Sequence, residues 1–425
     1  MRNLPVLQDF LCDPEAPCCG TQTCARARIR KHFEGQIYGA FPQKYLVKEY
    51  SFRNLERDGS TPSSADVFEI ELRVLLLDEE FSRFEDDERE FPVRILATVP
   101  SLDAFSREPR RALLGPNFYG NHSVTSNPQV HIDKEQWVPP FTKGWLESDD
   151  EKCAAEYRAW SVPAGHGSRG FAAARWPLGL AISEGYAVLT FYHGDLALDD
   201  PSRCMKQTLT HASLGRGALC AWAFGIQIVM DYLEEHDGAA KLNVDPSRVC
   251  AFGHSRNGKA ALIAGAYDER IWASIGNCSG CMGAAVSRGK SGEDIKAIVT
   301  RFPHWFRPEF AQYSNAEELM PVDQHLLLAL VSPRAVLICS AFEDTWADPR
   351  AELRSVLATA KLETEHGSEF SQKRQDSSCG NINLPECGTF VGSTTCAFHV
   401  RQGKHAIGAR DFKIFIDFLS QLKSC

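Results

Sequence analysis

Residues 249–259 read VCAFGHSRNGK and contain the sharpest local pattern in the chain. The apolar first half predicts a buried strand that runs into Gly253, and a predicted helix follows Ser255. A glycine beside the serine lets the turn close without side-chain clashes. Such a turn presents the Ser255 hydroxyl at the carboxyl edge of a sheet and near a helix N-terminus, where backbone N–H groups can stabilise an oxyanion. The segment therefore predicts a nucleophilic serine.

The strand, turn and helix match the nucleophile elbow of α/β hydrolases, with one change of spacing. Gly258 follows the serine by three residues, where the usual motif has two, and Asn257 takes the usual glycine position. An alternative is a serine that only caps the helix, since serine is a preferred N-cap residue.

Two downstream segments supply the other members of a catalytic triad. Hydrolases of this fold order the triad as serine, acid and histidine along the chain. A predicted apolar strand runs into Glu343 and Asp344, and His405 lies in a glycine-containing loop between the last strand and the last helix. We expect His405 to take the proton from Ser255 and Asp344 to fix the histidine tautomer. Glu343 and Asp348 remain alternatives for the acid.

Two cations, Arg256 and Lys259, follow the predicted nucleophile. At positions i and i+3 of the opening helical turn they can share one face. They favour a substrate that carries negative charge or many hydroxyls, and Arg256 can add to the oxyanion hole. The alternative is that one or both point to solvent, as most surface cations do.

The composition is that of a globular protein. The 425 residues are 44% hydrophobic and 24% charged, which excludes a disordered or fibrous chain. The net charge of −9 argues against a general nucleic-acid binder but allows one local cationic pocket. Strands and helices alternate, which predicts a mostly parallel sheet covered by helices on both faces, in one domain with insertions.

The predicted elements follow from periodicity and from turn residues. Strands are expected over 67–77, 91–99, 111–117, 186–192, 247–252, 271–275, 334–341 and 395–400. Helices are expected over 24–34, 177–183, 217–235, 258–266, 349–360 and 411–422. Apart from its helix, the stretch 1–65 is expected to be an irregular arm, and 137–170 and 364–388 to be polar connections.

The 15 cysteines leave the redox compartment open, because an odd number cannot all pair internally. Cys12, Cys18, Cys19 and Cys24 lack the spacing and the downstream His or Cys partners of a zinc module. We interpret the C-x-x-C of Cys278 and Cys281 as incidental, because the surrounding pattern is not thioredoxin-like. The first ten residues lack the apolar segment of a secretory signal, so the protein is either intracellular or its signal lies outside this chain. The sequence contains no apolar run of about 18 residues, so we expect no membrane span.

The sequence resembles the bacterial-type glucuronoyl esterases, carbohydrate esterase family 15. The resemblance covers about residues 26–422 and is carried by RARIRKHFEGQIYGAFP at 26–42, LLGPNFYGNH at 113–122, GHSRNGKAAL at 253–262, SGCMGAAVSRGKSGE at 279–293, FPHWF at 302–306, PVDQHLLLALVSPRAVL at 321–337, EDTWADPRAE at 343–352 and RQGKHAI at 401–407.

The resemblance implies an α/β-hydrolase fold, a three-layer αβα sandwich, formed by residues 26–425 after an N-terminal arm of residues 1–25. It implies hydrolysis of esters of glucuronic or 4-O-methylglucuronic acid, such as those that join lignin alcohols to glucuronoxylan, and hence a role in lignocellulose degradation. No metal, cofactor, nucleic acid or membrane is expected to take part. The resemblance also implies an extracellular or periplasmic location, and it says nothing of the oligomeric state.

The resemblance also assigns roles to single residues. It makes Ser255 the nucleophile, His405 the base and Arg256 the oxyanion stabiliser. It implies that the sugar ring is bound by Lys259, Glu293 and Trp346, the first two through its hydroxyls.

Two positions depart from the family pattern. Some members carry a glutamate directly before S-G-x-G, where this chain has Cys278, which cannot serve as the acid. Other members use an acid after the later strand, which maps to Asp344. Met282 stands where the family usually has glycine. His304 and Trp305 are expected to be packing residues, since aromatic clusters are more often structural.

Three functions remain open on sequence alone. The first is a glucuronoyl esterase that works through an acyl-enzyme. The second is a related esterase that has drifted to methyl or acetyl esters of another sugar or a small metabolite. The third is a non-catalytic carbohydrate-binding relic, against which the presence of Ser255, Asp344 and His405 argues.

Overall fold

A computed structural model gives the architecture of the chain. It describes residues 4–5, 10, 22–59, 61–101, 108–132, 137–138, 162–163, 165–365, 382–393 and 395–422. The strands are β1 Tyr45–Leu55, β2 Ala65–Leu76, β3 Glu90–Pro100, β4 Arg110–Asn117, β5 Trp137–Val138, β6 Val162–Pro163, β7 Ala187–Tyr192, β8 Val244–His254, β9 Ala273–Asn277, β10 Ala335–Ala341, β11 Phe390–Gly392 and β12 Cys396–Arg401.

The helices between and around these strands are α1 Gln22–Gln36, α2 Asn121–Val124, α3 Leu178–Ser183, α4 Pro201–Cys204, α5 Ala218–Glu235, α6 Gly238–Leu242, α7 Arg256–Tyr267, α8 Ile295–Arg301, α9 Gln324–Val331, α10 Pro349–Glu365 and α11 Ala409–Gln421. In the described part of the chain, no helix has the length and apolarity that a membrane crossing needs.

One large sheet organises the described residues. Its ten strands lie in the order β1-β2-β3-β7-β4-β8-β9-β10-β12-β11, and β5 and β6 form a separate two-stranded sheet. The central strands from β7 to β12 run parallel, whereas β1, β2, β3 and β11 join antiparallel at the two edges. The predicted mostly parallel sheet is confirmed.

Both faces of the sheet are covered by helices. Successive strand residues point to opposite faces, so Leu114 joins the core under α1, α5, α7, α9 and α10, and Leu113 joins the core under α3 and α11. The result is the predicted three-layer α/β-hydrolase sandwich. Because β8, β9, β10 and β12 are parallel, their carboxyl ends meet at one edge of the sheet, and ligands of open α/β sheets bind at that edge.

The expectation of an irregular arm over residues 1–65 is wrong in one respect. Residues 45–55 form β1, which pairs along its length with β2. This is an edge strand whose side chains are mostly half-buried or exposed, so it lacks the apolar run that marks buried strands. Of the two predicted polar connections, 139–161 and 366–381 lie outside the described residues, and α10 extends to Glu365, past the expected end at 360.

Candidate active site

The turn between β8 and α7 holds Ser255 in a conformation that few residues adopt. Its backbone has φ 55° and ψ −127°, and its N–H donates to the carbonyl of Asn277 at 2.8 Å. The serine stands at the N-cap of α7, yet its hydroxyl makes no capping hydrogen bond. The interpretation of Ser255 as a plain capping residue is therefore wrong, and the strained turn leaves the hydroxyl available for chemistry.

Close backbone contacts explain the glycines of this turn. A Cβ on Gly253 would lie 2.1 Å from the carbonyl oxygen of Asn257, and one on Gly258 would lie 3.0 Å from that of Gly253. Asn257, at the position where the motif usually has glycine, is fully buried. Its amide donates to the carbonyl of Pro116 at 2.9 Å, and its Oδ1 lies 3.0 Å from Nδ1 of His193. The larger residue is thus accommodated by a polar network of its own.

The loops after β10 and β12 bring Asp344 and His405 together. Nδ1 of His405 lies 2.7 Å from Oδ2 of Asp344, and the amide of Ala347 donates to the other carboxylate oxygen at 3.2 Å. Burial acts to raise the pKa of Asp344, but the hydrogen bond and the charge of His405 hold it below its ordinary value. An ionised carboxylate only accepts, so Nδ1 carries the hydrogen.

The two alternative acids do not meet the histidine. Asp348 accepts from the backbone N–H groups of Ser291 at 2.6 Å and Ala351 at 3.1 Å, and so fixes the start of α10. Glu343 is exposed. Of the three carboxylates, Asp344 is the one that contacts His405.

The histidine ring lies beside the elbow. The ring centroids of His405 and His254, the residue before Ser255, are 4.6 Å apart, and the His405 side chain is 36% exposed. In this structure no hydrogen bond joins the His405 ring to Ser255. Hydrogen bonds between catalytic groups commonly tighten only when substrate is bound, so the open pair is compatible with a triad.

Cys278 lies against the same pair. Its thiol donates a hydrogen bond that helps to lower the pKa of Asp344. Burial and the charge of Asp344 raise the pKa of the thiol, which keeps it uncharged. The backbone of Cys278 has φ 48°, and its N–H donates to the carbonyl of Cys339 at 2.7 Å. Cys278 and Cys281 are both free thiols.

Arg256 is held by a carboxylate that sequence reasoning missed. Its guanidinium pairs with Asp199 and lies over the ring of Trp305, 4.8 Å from the centroid. Asp199 also accepts from Nε1 of Trp305 at 2.8 Å and contacts Nε2 of His304 at 2.9 Å. The expectation that His304 and Trp305 only pack is incomplete, because both orient this carboxylate. The sequence around Asp199 shows a second aspartate, Asp200, which caps α4, and nothing in the pattern separates the two roles.

Lys259 shares the face of Arg256, as the i, i+3 spacing predicts. Its Nζ lies 5.9 Å from the centroid of the Trp305 ring and donates to the carbonyl of Ser279 at 2.6 Å. The side chain is buried, which lowers the pKa of the ammonium, while the charge of Glu293 acts in the opposite direction. Lys259 therefore does not point to solvent.

Glu293 and Trp346 lie next to each other. The backbone N–H of Glu293 donates to the carbonyl of Trp346 at 3.0 Å, and Glu293 is buried while Trp346 is half-buried. Because Glu293 also acts electrostatically on Lys259, the three sugar-binding candidates belong to one region.

Two buried residues support the loop after β9. Glu352 accepts from Oγ of Ser279 at 3.0 Å, from the N–H of Gly280 at 2.8 Å and from the Ser340 hydroxyl. Burial raises the pKa of Glu352 to about 7. Met282 is buried with φ 56°, a conformation that favours glycine, which gives a physical reason for a glycine at this position in relatives.

Comparisons with known proteins agree with this architecture. Residues 169–364 match the family model described as "Glucuronyl esterase, fungi". Carbohydrate esterase MZ0003, from an unknown prokaryotic organism, is 35% identical over 401 residues, which are 92% of this chain and 83% of that protein. The 4-O-methyl-glucuronoyl methylesterase of Podospora anserina is 32% identical over 178 residues, 39% of this chain and 37% of the relative.

Solved structures give the same answer. A promiscuous CE15 esterase from a marine bacterial metagenome superposes with a TM-score of 0.75 at 30% identity, over 99% of this chain and 97% of the other. The glucuronoyl esterase from Solibacter usitatus has a TM-score of 0.73 at 28% identity, over 98% and 97%. Fold and relatives together define a carboxylic ester hydrolase. The chain belongs to carbohydrate esterase family 15, the glucuronoyl esterases.

Proposed function

We propose that the protein hydrolyses esters of glucuronic or 4-O-methylglucuronic acid through an acyl-enzyme on Ser255. The observation that carries the proposal is the Asp344–His405 pair beside the strained Ser255 turn. The half-buried Arg256 and the buried Lys259 on the same helical turn fit a uronic acid, which is rich in hydroxyls and carries its charge once the ester is cleaved.

The chemistry follows from these positions. The Ser255 oxygen attacks the ester carbonyl while His405 takes its proton and Asp344 stabilises the imidazolium. Arg256 and the backbone N–H groups at the start of α7 stabilise the negative charge on the carbonyl oxygen. Collapse of the intermediate expels the alcohol, which receives the proton from His405. Water activated by His405 then hydrolyses the acyl-enzyme, releases the uronic acid and regenerates the serine.

The sugar would be bound on the side of α7 where Lys259 and Glu293 lie. Lys259 can donate to a ring hydroxyl, Glu293 can accept from one, and the half-buried Trp346 offers an apolar surface to the face of the ring. The natural substrate that we propose is the ester of a lignin alcohol with the glucuronic acid of glucuronoxylan, as the family implies. We therefore propose that the enzyme works outside the cell or in the periplasm, where such a polymer occurs. The division into an arm of residues 1–25 and a catalytic domain of residues 26–425 stays a prediction, and α1 lies across its boundary.

A second candidate is an esterase of broader specificity. It is favoured by one comparison, since the solved relative from the marine metagenome is described as promiscuous. Hydrolysis of methyl or acetyl esters of other sugars, or of small metabolites, would use the same Ser255, His405 and Asp344.

Rates on benzyl glucuronate, methyl glucuronate, methyl galacturonate and an acetylated sugar separate these candidates. We expect the glucuronates to be preferred, and Ser255→Ala to lower kcat by roughly 10⁴- to 10⁶-fold with an unchanged melting temperature. Preference for the acetyl ester would favour the second candidate. Retained activity in Ser255→Ala would remove the triad. Saccharide binding without hydrolysis of any ester would identify a binding relic.

A further inference from the structure

Three donor groups converge at the proposed catalytic pair. The Cys278 sulfur, a carboxylate oxygen of Asp344 and a ring nitrogen of His405 all lie within 4.8 Å of one another. The proposed proton transfer uses only two of them, Asp344 and His405, and the uncharged Cys278 thiol donates a hydrogen bond to Asp344. The cysteine therefore adds a third ligand to a pair that is otherwise built for proton transfer.

The chemistry of the three groups suits a zinc ion. Thiolate, imidazole and carboxylate are the groups that bind Zn²⁺ in proteins, and three protein ligands with one water are a common set. In a tetrahedral site, two ligand atoms bound to the same ion are about 3.4–3.6 Å apart, given Zn–N, Zn–O and Zn–S bonds of roughly 2.0–2.3 Å. To reach that value, Nδ1 of His405 and Oδ2 of Asp344 would move apart from their present 2.7 Å, and any sulfur distance near the 4.8 Å limit would shorten. Both changes are side-chain movements of about 1 Å.

The surrounding protein fixes two of the three ligands, Cys278 and Asp344, and leaves a path for an ion beside the third, His405. Cys278 follows β9 and Asp344 follows β10, neighbouring parallel strands, and both side chains are buried. The N–H of Cys278 donates to the carbonyl of Cys339, which fixes the loop that carries the thiol. His405 is 36% exposed, so an ion can reach the group past the edge of the histidine ring.

We propose that Cys278, Asp344 and His405 bind Zn²⁺ and that the ion is a reversible inhibitor of the enzyme. Binding would release the thiol proton to solvent, and the hydrogen on Nδ1 of His405 would pass to Nε2 by exchange with solvent. With the ion on Nδ1 and the hydrogen on Nε2, the ring has no nitrogen left to accept the Ser255 proton. The inhibition rests on the proposed esterase function, whereas ion binding does not.

Inhibition is tested on the full chain with ZnCl₂ as the probe and methyl glucuronate as substrate. We compare the wild type with Cys278→Ser and with Cys281→Ser, a matched control in the same loop whose sulfur is not part of the group. Each protein is measured against its own zinc-free rate. We expect Cys278→Ser to raise the half-inhibitory zinc concentration at least about tenfold. Loss of a residue that only supports a metal ligand can already lower metal affinity by that factor, so loss of a direct ligand should cost no less. EDTA is expected to restore the rate, and Cys281→Ser to behave as the wild type.

Cobalt separates this proposal from the proposed function. Co²⁺ bound by a thiolate shows a ligand-to-metal charge-transfer absorption. We expect this absorption in the wild type and in Ser255→Ala. In Cys278→Ser we expect it to correspond to one thiolate-bound Co²⁺ fewer per chain. This readout needs no hydrolysis, so it stands even if no ester is cleaved. A Cys278→Ala variant replaces Cys278→Ser if the latter does not melt cooperatively. The proposal would be overturned if zinc inhibited the wild type, Cys278→Ser and Cys281→Ser equally. It would also be overturned if the cobalt absorption were the same with and without the Cys278 thiol.

Discussion

Nδ1 of His405 lies 2.7 Å from Oδ2 of Asp344, although the chain offers Glu343 and Asp348 within four residues of that carboxylate. Asp348 is engaged by backbone N–H groups and Glu343 is exposed, so neither competes for the histidine. A triad with this acid depends on Asp344 to keep the hydrogen on Nδ1 and leave Nε2 able to accept a proton.

Asp344→Asn tests that dependence. The amide can hold the ring in the wrong tautomer and cannot stabilise the imidazolium, so we expect kcat to fall by about 10³- to 10⁴-fold. Glu343→Gln is the matched control, since it removes the neighbouring carboxylate without touching His405, and we expect its kcat to equal that of the wild type. Steady-state kinetics on methyl glucuronate measure both. Equal losses in the two variants would mean that the acid is wrongly assigned.

Asp199→Asn tests whether the orientation of Arg256 matters for the reaction. Burial acts to raise the pKa of Asp199, but the guanidinium of Arg256 and the ring of His304 hold it far below its ordinary value, so the group is an anion. The neutral amide would loosen Arg256, and we expect kcat to fall by about 10- to 100-fold, less than deletion of an oxyanion donor costs. We expect KM to change little, because the loss is felt in the transition state.

Asp200→Asn is the control for this variant. Asp200 caps α4 by accepting from the N–H groups of Ser202 and Arg203, so its carboxylate is engaged at the start of that helix. We expect it to alter the melting temperature at most and to leave kcat unchanged. If Asp199→Asn lowers the melting temperature but spares kcat, Asp199 is structural only.

Lys259→Met tests sugar binding. Methionine keeps much of the buried stem but loses the ammonium, whose charged hydrogen bond to a ring hydroxyl is worth about 1.5–3 kcal/mol, so we expect KM to rise by about 10- to 100-fold. Lys413→Met is the control, since Lys413 is exposed on α11 and pairs with Asp417. A loss confined to kcat would show that Lys259 acts on the reacting atoms instead.

Much of the fold follows from local patterns. The apolar runs that become β7, β8 and β10 and the glycines around Ser255 were sufficient to predict a parallel sheet and an elbow. Edge strand β1 escaped prediction because it pairs by backbone hydrogen bonds and buries little, so its composition resembles that of a loop.

The site was less accessible to sequence reasoning where it depends on contacts between distant segments. Asp344 and His405 could be proposed because each follows a predicted strand. Asp199 could not, because its partner Arg256 lies 57 residues away and its other contacts come from residues 304 and 305. The convergence of Cys278 with Asp344 results from the pairing of β9 with β10, and its one indication in the sequence is that some family members carry the acid at the position of Cys278.

Glu352→Gln tests a buried carboxyl beneath the loop after β9. Burial raises its pKa from an ordinary 4.5 to about 7, so the folded protein binds this proton more tightly than the unfolded chain. The stabilisation is therefore complete at low pH and is lost as the pH rises towards about 7. The pKa values of the unfolded and folded states, 4.5 and about 7, set the window, which is roughly pH 5 to pH 8. We expect the melting temperature of Glu352→Gln to fall less across this window than that of the wild type.

Glu309→Gln serves as the comparison, because Glu309 is exposed. We expect its melting temperature to follow the wild type across the same series. If the pH slope of Glu352→Gln equals that of the wild type, the carboxyl does not titrate in this range.

Gly253→Ala tests the close approach within the elbow. Its Cβ would lie 2.1 Å from the Asn257 carbonyl, so the turn must open, and we expect a loss of stability above about 3 kcal/mol. Gly35→Ala in α1 meets nothing within 4 Å and is expected to stabilise the helix by roughly 0.5–1 kcal/mol. Denaturant unfolding measures both, and a neutral Gly253→Ala would contradict the geometry of the turn.

The φ of 55° at Ser255 lowers the thermal stability of the protein, while the hydroxyl of the same residue is what the proposed reaction needs. A side chain held in this region costs about 1–3 kcal/mol, which the packing of β8 against α7 must outweigh. Glycine adopts the same backbone without that penalty, so a Ser255→Gly chain is expected to melt at a higher temperature than the wild type while hydrolysing nothing. Selection for durability alone would therefore erase the nucleophile, and its presence in this chain marks a position where turnover has outweighed robustness.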